Sequence, residues 1–410
     1  MKRLVIMLML SITAFLPTAQ SQSEAIRNLC TQINKDSLEY NVRTLQDFGS
    51  RYAFNDNRKQ IAEYLMHRLA NYGFETQIDS FYLEMEYPYN SGIMNKTWQY
   101  NVVGKKQGIW DGGTTLHIGA HYDDVSFKEG FADYVNTAPG ADDNASGVAS
   151  ILEIARVFAL NDIKPIKTLV VNFFAAEEQG LIGSNRRIDG ITQPTWKENI
   201  IGMINLDMVG YCTVDSANYV ANIITYDNSP ELTDMAKNFA TLYTTLTPFE
   251  TTMYNNASDS YSYYIYGVRS VFLSENEFTP HYHTERDLFT TLNYDYMKQI
   301  TMLAAAMTYE CSVNNDYGTV SLKENPQTQT PDLIILNQPS EGEISYLIKG
   351  NSNHGTLSLY DLQGRKLLRI PLRTTETIGK IDVSSFTSGL YTLKLDGNNQ
   401  AVSKKVIIVK

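Results

Sequence analysis

Lys167-Thr168-Leu169-Val170-Val171-Asn172-Phe173-Phe174-Ala175-Ala176-Glu177-Glu178 is the stretch that decides the fold. Lys167 to Ala175 is an almost unbroken apolar run between polar neighbours, as a strand covered on both faces requires. Two acids follow it at once. In open α/β sheets the functional groups collect at the carboxyl ends of the strands. The stretch therefore predicts a buried strand that carries Glu177 and Glu178 to such an edge.

Similar runs flank it. Residues 75–83, 99–104, 114–120, 200–208 and 270–274 read as strands, the last two again as buried ones. Residues 24–48, 55–72, 146–160 and 294–311 read as helices. In the second helix Ile61, Leu65 and Leu69 recur at four-residue spacing, and Gly73 stands where a helix end favours a left-handed residue. Strands alternating with helices imply a three-layer α/β/α sandwich around a mostly parallel mixed sheet.

Beyond Cys311 the pattern changes. Residues 314–331 are polar, include Pro326 and Pro331, and read as a linker. Short alternating runs follow at 333–336, 345–348, 356–360, 366–370, 390–395 and 405–409, with Gly350, Gly364, Gly389 and Gly397 at the turns. They predict a small all-β sandwich over 332–410. From Pro331 onward ten Lys/Arg stand against seven Asp/Glu, a balance of +3 in a chain whose total is −11. The sign difference supports two folding units.

The acidic total argues against a nucleic-acid partner. No run of eighteen apolar residues occurs, so no transmembrane segment is expected. Lys2 and Arg3 precede an apolar stretch, Leu4 to Leu16, that is too short to span a bilayer. Pro17 and the small residues near Ser21 complete a secretory signal over residues 1–21. The expected domains are thus a signal peptide at 1–21, a catalytic domain at 22–313, the linker and the sandwich. Export would put the three cysteines in an oxidising compartment. Cys30 and Cys311 are the expected pair if a disulfide forms, and three free thiols are the alternative.

Five short segments supply acids or histidines suited to metal binding: His121-Tyr122-Asp123, Ala141 to Gly147 around Asp142-Asp143, Ala176 to Gly180, Asn205 to Met208 around Asp207, and Tyr282 to Asp287 around His283. Three of them follow predicted strands directly. Asp143 lies in a turn that feeds the 146–160 helix. A lone histidine or a Glu-Glu pair carries little weight, but five such segments together are specific.

In content and order these motifs resemble peptidase family 28, the secreted dizinc aminopeptidases, over residues 37 to 312. The resemblance implies a zinc exopeptidase fold and two Zn2+ per chain. It implies His121 and Asp207 on one ion, Glu178 and His283 on the other, and Asp143 shared. Imidazole and carboxylate donors suit zinc and would also accept cobalt. Two ions near one carboxylate can polarise a carbonyl and activate water at neutral pH. Asp123, two residues past His121, can hydrogen-bond the far imidazole nitrogen. Glu177, beside a ligand without needing to be one, suits the general base. His117 and His281 match no family ligand and read as structural.

The family pattern also implies a cis peptide bond between Asp143 and Asn144. Ser258-Asp259-Ser260 resembles the family's pocket segment, with Ser260 where a histidine often stands. The aromatic-rich stretches 82–89 and 254–266 point to a hydrophobic first residue in the substrate. Residues 359–365, 381–384, 388–391 and 404–410 resemble the C-terminal sorting domain of the type IX secretion system. That implies export across the outer membrane, often with removal of the domain, after the N-terminal signal has directed the chain across the inner one.

The expected function is a secreted aminopeptidase acting on peptide substrates. Two enzyme alternatives share the fold: a one-zinc glutaminyl cyclase, and a carboxypeptidase or dipeptidase. The last would need a basic group for a free carboxylate, for which Arg186, Arg187 and Arg286 are the nearby candidates. Ala176-Glu177-Glu178-Gln179-Gly180-Leu181 is written in the aminopeptidase style. A non-catalytic receptor-like domain would be expected to have lost ligands, and none is lost here.

Overall fold

The computed structural model describes residues 23–87, 92–109, 113–126, 138–192, 199–314, 332–335, 340–349, 356–361, 364–372, 378–397 and 400–409. The expected signal and nearly all of the expected linker lie outside the described residues. The N-terminal region runs α1 (Glu24–Thr31), α2 (Lys35–Gln46), α3 (Arg58–Asn71), β1 (Glu75–Glu86), β2 (Met94–Lys106), β3 (Thr114–His121), α4 (Gly147–Leu160), β4 (Thr168–Phe174) and α5 (Ile182–Thr192). It continues with β5 (Asn199–Leu206), β6 (Val220–Ile224), α6 (Pro230–Tyr243), β7 (Thr247–Thr251), α7 (Ser260–Ile265), β8 (Ser270–Glu275) and α8 (Tyr294–Val313).

The single helix expected over 24–48 is two. Asn34 starts the second, its Oδ1 accepting from the N–H groups of Asp36 at 2.7 Å and Ser37 at 3.3 Å. A side chain that caps a helix competes with helix continuation through its own position. Gly73 takes the left-handed conformation expected of it (φ +77).

The eight strands form one sheet in the order β1-β2-β4-β3-β5-β8-β6-β7. The central four, β4, β3, β5 and β8, are mutually parallel. The β1–β2 hairpin joins β4 antiparallel, while β6 joins β8 antiparallel and pairs with β7 in parallel. Every residue of β3 and β4 is buried, as the reading of 167–175 required. Alternation along β4 splits the core. Phe173 faces the larger cluster formed with α1 to α4, α6 and α8, whereas Phe174 packs with Ile188 and Tyr263 from α5 and α7 on the other face. Each fully buried side chain of this size contributes about 1.5–3 kcal/mol. The result is the expected α/β/α sandwich.

Of the two cysteine expectations, three free thiols is the one found. Cys30, Cys212 and Cys311 are all free. The Cys30 thiol lies 3.5 Å from the Met302 carbonyl and Cys311 Sγ lies 3.7 Å from Met235 Sδ, so each packs as a small apolar group rather than as half of a disulfide. The stretch from Val220 to Ile265 holds a strand pair and two helices that no expectation covered. Strands β6 and β7 have five residues each and are only partly buried, so no clean alternation marks them.

The C-terminal region is all-β. It comprises β9 (Asp332–Ile335), β10 (Ser340–Glu341), β11 (Glu343–Lys349), β12 (Thr356–Tyr360), β13 (Lys366–Pro371), β14 (Ile378–Asp382), β15 (Gly389–Gly397) and β16 (Gln400–Val409). A five-stranded sheet, β10-β16-β15-β12-β13, and a three-stranded sheet, β14-β11-β9, enclose a core that includes Leu333, Ile344, Leu359, Leu393 and Val406. Among the described residues no helix is long and apolar enough to cross a membrane.

Candidate metal centre

The carboxyl ends of the parallel strands converge as the sequence predicts. His121 is the last residue of β3, Glu177 and Glu178 follow β4, Asp207 follows β5, and His283 comes from the loop after β8. Asp143 sits in the turn before α4. His121 Nε2 lies 3.2 Å from Asp143 Oδ1 and 3.3 Å from Asp207 Oδ1. His283 Nε2 lies 3.1 Å from Asp143 Oδ2 and 3.0 Å from Glu178 Oε2. Asp143 thus divides its two oxygens between the two imidazoles. Glu177 Oε2 stands farther out, 3.9 Å from His121 Nε2.

Sharp backbone corners aim these groups. Ala176 before Glu177, Met208 after Asp207, and His283 itself all have positive φ, between +53 and +56. Each such non-glycine residue costs about 1–3 kcal/mol and persists where its surroundings over-determine it. The Asp143–Asn144 peptide bond is cis, as the family pattern implied.

Further groups hold the cluster. Asp123 was expected to orient His121 through its carboxylate. The nearer contact is its backbone carbonyl, 3.1 Å from His121 Nδ1, with the carboxylate at 3.7 Å. The carboxylate instead accepts the N–H groups of Glu177 at 3.0 Å and Glu178 at 3.2 Å, fixing the acidic pair. Ser258 Oγ donates to Asp207 Oδ2 at 2.6 Å and receives Asn205 Nδ2 at 2.7 Å. Asp287 accepts the N–H groups of Asp142 and Asp143 at 2.9–3.1 Å, and Asp142 accepts Gly210 N–H at 2.9 Å. Ser258 was expected in a pocket segment and instead supports Asp207, while Asp142 and Asp287 had no expected role. A second acid beside Asp143 and another four residues past His283 were the available signals. His117 is buried against Tyr263, its Nδ1 3.1 Å from the phenol oxygen, and is structural. His281 packs edge-on against Tyr211.

The electrostatics of the cluster share one cause. Burial pushes Glu178 up to about 8 with help from Asp143, and holds Glu177 well above the ordinary carboxylate range against the pull of His121. Burial disfavours charge on His283, yet Glu178 and Asp143 push it up to about 10. His121 is raised in the same way, mainly by Asp207 and Glu177. Asp143 is the exception: burial raises it, but its hydrogen bonds with the two imidazoles outweigh burial and hold it below the usual carboxylate range. Acids and imidazoles that retain protons together mark an excess of buried negative charge, which a cation relieves.

A cavity of about 420 Å³ opens beside the cluster. Its floor is His121, Asp143, Glu177, Glu178 and Asp207, and its walls include Ile224, Phe249, Tyr254, Phe272 and Phe278. The aromatic stretch at 254–266 contributes through Tyr254, whereas no described residue of 82–87 lines the cavity. No arginine or lysine appears among the described lining residues. Arg187 is buried elsewhere, donating to Asn172 Oδ1 at 3.2 Å.

Histidines and carboxylates gathered at the carboxyl edge of a parallel sheet, with an apolar cavity alongside, define a metal-dependent hydrolase. The pattern described for peptidase family M28 matches residues 101–308, and that of a secretion-system C-terminal sorting domain matches residues 338–409. This chain belongs to peptidase family M28 and carries such a sorting region behind it. Leucine aminopeptidase 1 of Sclerotinia sclerotiorum is 29% identical over 315 residues, covering 73% of this chain and 77% of that protein. Among solved structures, a zinc aminopeptidase from Bacillus subtilis superposes with a TM-score of 0.57 at 16% identity, covering 69% of this chain and 96% of that one. A Bacteroides thetaiotaomicron glutaminyl cyclase superposes with a TM-score of 0.54 at 21% identity, covering 68% and 98%. Both structural likenesses speak for the fold alone.

Proposed function

We propose that this chain is an exported zinc aminopeptidase that removes N-terminal residues from peptides. One observation carries the reading: Asp143 offers Oδ1 to the His121 side at 3.2 Å and Oδ2 to the His283 side at 3.1 Å. In this reading His121 and Asp207 would hold one zinc, Glu178 and His283 would hold the other, and Asp143 would serve both. The donor set fits. Ligands about 2.0–2.1 Å from a tetrahedral ion stand about 3.3 Å apart, and the four contacts measure 3.0–3.3 Å. Glu178 Oε1 is buried without a hydrogen-bond partner, a vacancy in bonding that suits a cation. Bound there, the ions would polarise the scissile carbonyl and lower the pKa of water.

The chain's own groups do the rest. Glu177 takes the proton from the attacking water and delivers it to the departing amine. Its Oε2 stands 3.9 Å from His121 Nε2, farther than the four contacts of the assigned ligands, within a His121–Glu177–Asp207 group that could itself reach an ion. The Asp123 carboxylate holds its backbone in place. The acidic floor suits a substrate ammonium, and the apolar walls suit one hydrophobic side chain. A carboxypeptidase or dipeptidase would need a cationic group, and the described cavity lining offers none.

The apolar N-terminal stretch and the sorting region support export across both membranes, with residues 22–313 as the catalytic domain, 314–331 as linker and 332–410 as the sorting domain. The test is mass spectrometry of peptides beginning with Leu, Lys, Asp and Gln, incubated with the mature protein with and without a chelator. Stepwise N-terminal loss abolished by the chelator is expected. Loss of ammonia from the Gln peptide alone would mean a cyclase, and trimming from the other end a carboxypeptidase.

A further inference from the structure

Arg51 is fully buried, and its guanidinium reaches three separate chain segments. Nε donates to the Tyr122 carbonyl at 2.7 Å, Nη1 to the Pro139 carbonyl at 2.9 Å and the Leu45 carbonyl at 3.4 Å, and Nη2 to the Gly140 carbonyl at 2.7 Å. The buried Asp124 carboxylate supplies the opposite charge, 3.2 Å from Nη1, and accepts the Arg51 backbone N–H at 2.9 Å. Tyr122 is the residue after His121. Gly140 lies three residues before Asp143. One planar group therefore ties the exit of β3 to the turn that presents the shared carboxylate.

The approach depends on Gly140. It has φ +49, and a Cβ there would stand 2.6 Å from Arg51 Nη2. A lysine could not reproduce the contact, because its donors radiate from one point while the accepting carbonyls are spread around a fork.

We propose that Arg51 is a positioning residue that fixes the separation of His121 and Asp143 and so sets the zinc affinity of the centre. The inference rests on the zinc reading of those two residues. It is tested in the full-length protein with Arg51→Met, Arg51→Lys and Gly140→Ala, by measuring zinc affinity against a chromophoric chelator, kcat and KM on leucine p-nitroanilide, and melting with and without zinc. In Arg51→Met both zinc affinity and kcat are expected to fall about 10- to 100-fold, the usual cost of losing a group that orients metal ligands, with KM little changed. Arg51→Lys should recover only part of the loss, and Gly140→Ala should weaken zinc binding in the same direction.

A folded Arg51→Met protein with wild-type zinc affinity would overturn the proposal. So would an Arg51→Lys protein that cannot fold even with zinc, since the guanidinium would then be a requirement of the core. If the wild-type chain itself takes up no zinc, the reading of the centre fails rather than the role of Arg51 within it.

Discussion

The carboxyl edge of the eight-stranded sheet and the C-terminal β region use strands in opposite ways. Around the sheet edge Arg51, His121, Asp123, Asp124, Asp142, Asp143, Glu177, Asp207, Glu275 and Asp287 are all buried. In the C-terminal region the only buried polar side chains among the described residues are serines. Its ion pairs, such as Lys380–Glu343 and Lys394–Asp396, lie at the surface, where such pairs add little. A fold can be stabilised by apolar alternation alone. Buried charge on the scale seen at the sheet edge opposes folding unless it is paired or bound, so it marks where function is built.

That contrast can be tested from its largest consequence downward. Glu177→Gln removes only the proton acceptor, so zinc content should be retained while kcat falls by about 10²- to 10⁴-fold. Undiminished kcat in a zinc-loaded variant would remove Glu177 from the base role. Leu393→Ala strikes the other region, where the side chain is fully buried. It should cost about 2–5 kcal/mol of that region's stability, read by calorimetry, with kcat on small substrates unchanged. A parallel loss of kcat would mean that the two regions are not separate folding units.

The pH response sharpens the comparison further. In the metal-free protein Glu178 keeps its proton to about 8 against an ordinary 4.5, and His283 to about 10 against 6.5. The folded state then binds more protons than the unfolded one across that window, so its stability falls as pH rises from about 5 to 10. Zinc displaces those protons, so its stabilising increment should grow over the same range. Melting temperatures with and without chelator at pH 5, 7 and 9 would show this, and parallel curves would contradict it. The smallest effect concerns the cavity wall. Tyr254→Ala and Phe278→Ala should each lower kcat/KM for an N-terminal leucine substrate about 3- to 10-fold, with less change for an alanine substrate.

Much of the sheet edge was legible because strand ends carry a local signature. Lys167 to Glu178 states both the buried strand and its acidic terminus, and the small residues around Asp143 mark a tight turn. The supports were not legible. Arg51 meets carbonyls 71 to 89 residues away along the chain, and no local pattern encodes such a meeting. The cavity walls come from β6, β7, β8 and the loops after β7 and β8; β8 reads as a buried strand, but the half-buried five-residue strands β6 and β7 leave no period to read. The cysteine pairing was suggested by positions near the two ends of the catalytic region. The structure instead buries Cys30 and Cys311 as apolar side chains on separate partners.

The most direct test of the central claim is the zinc content of the purified wild-type chain by elemental analysis against protein concentration. Two zinc ions per chain is the value that a carboxylate shared between the His121 and His283 sides predicts. One per chain would contradict the shared-carboxylate account and favour cyclase-type chemistry on the same fold.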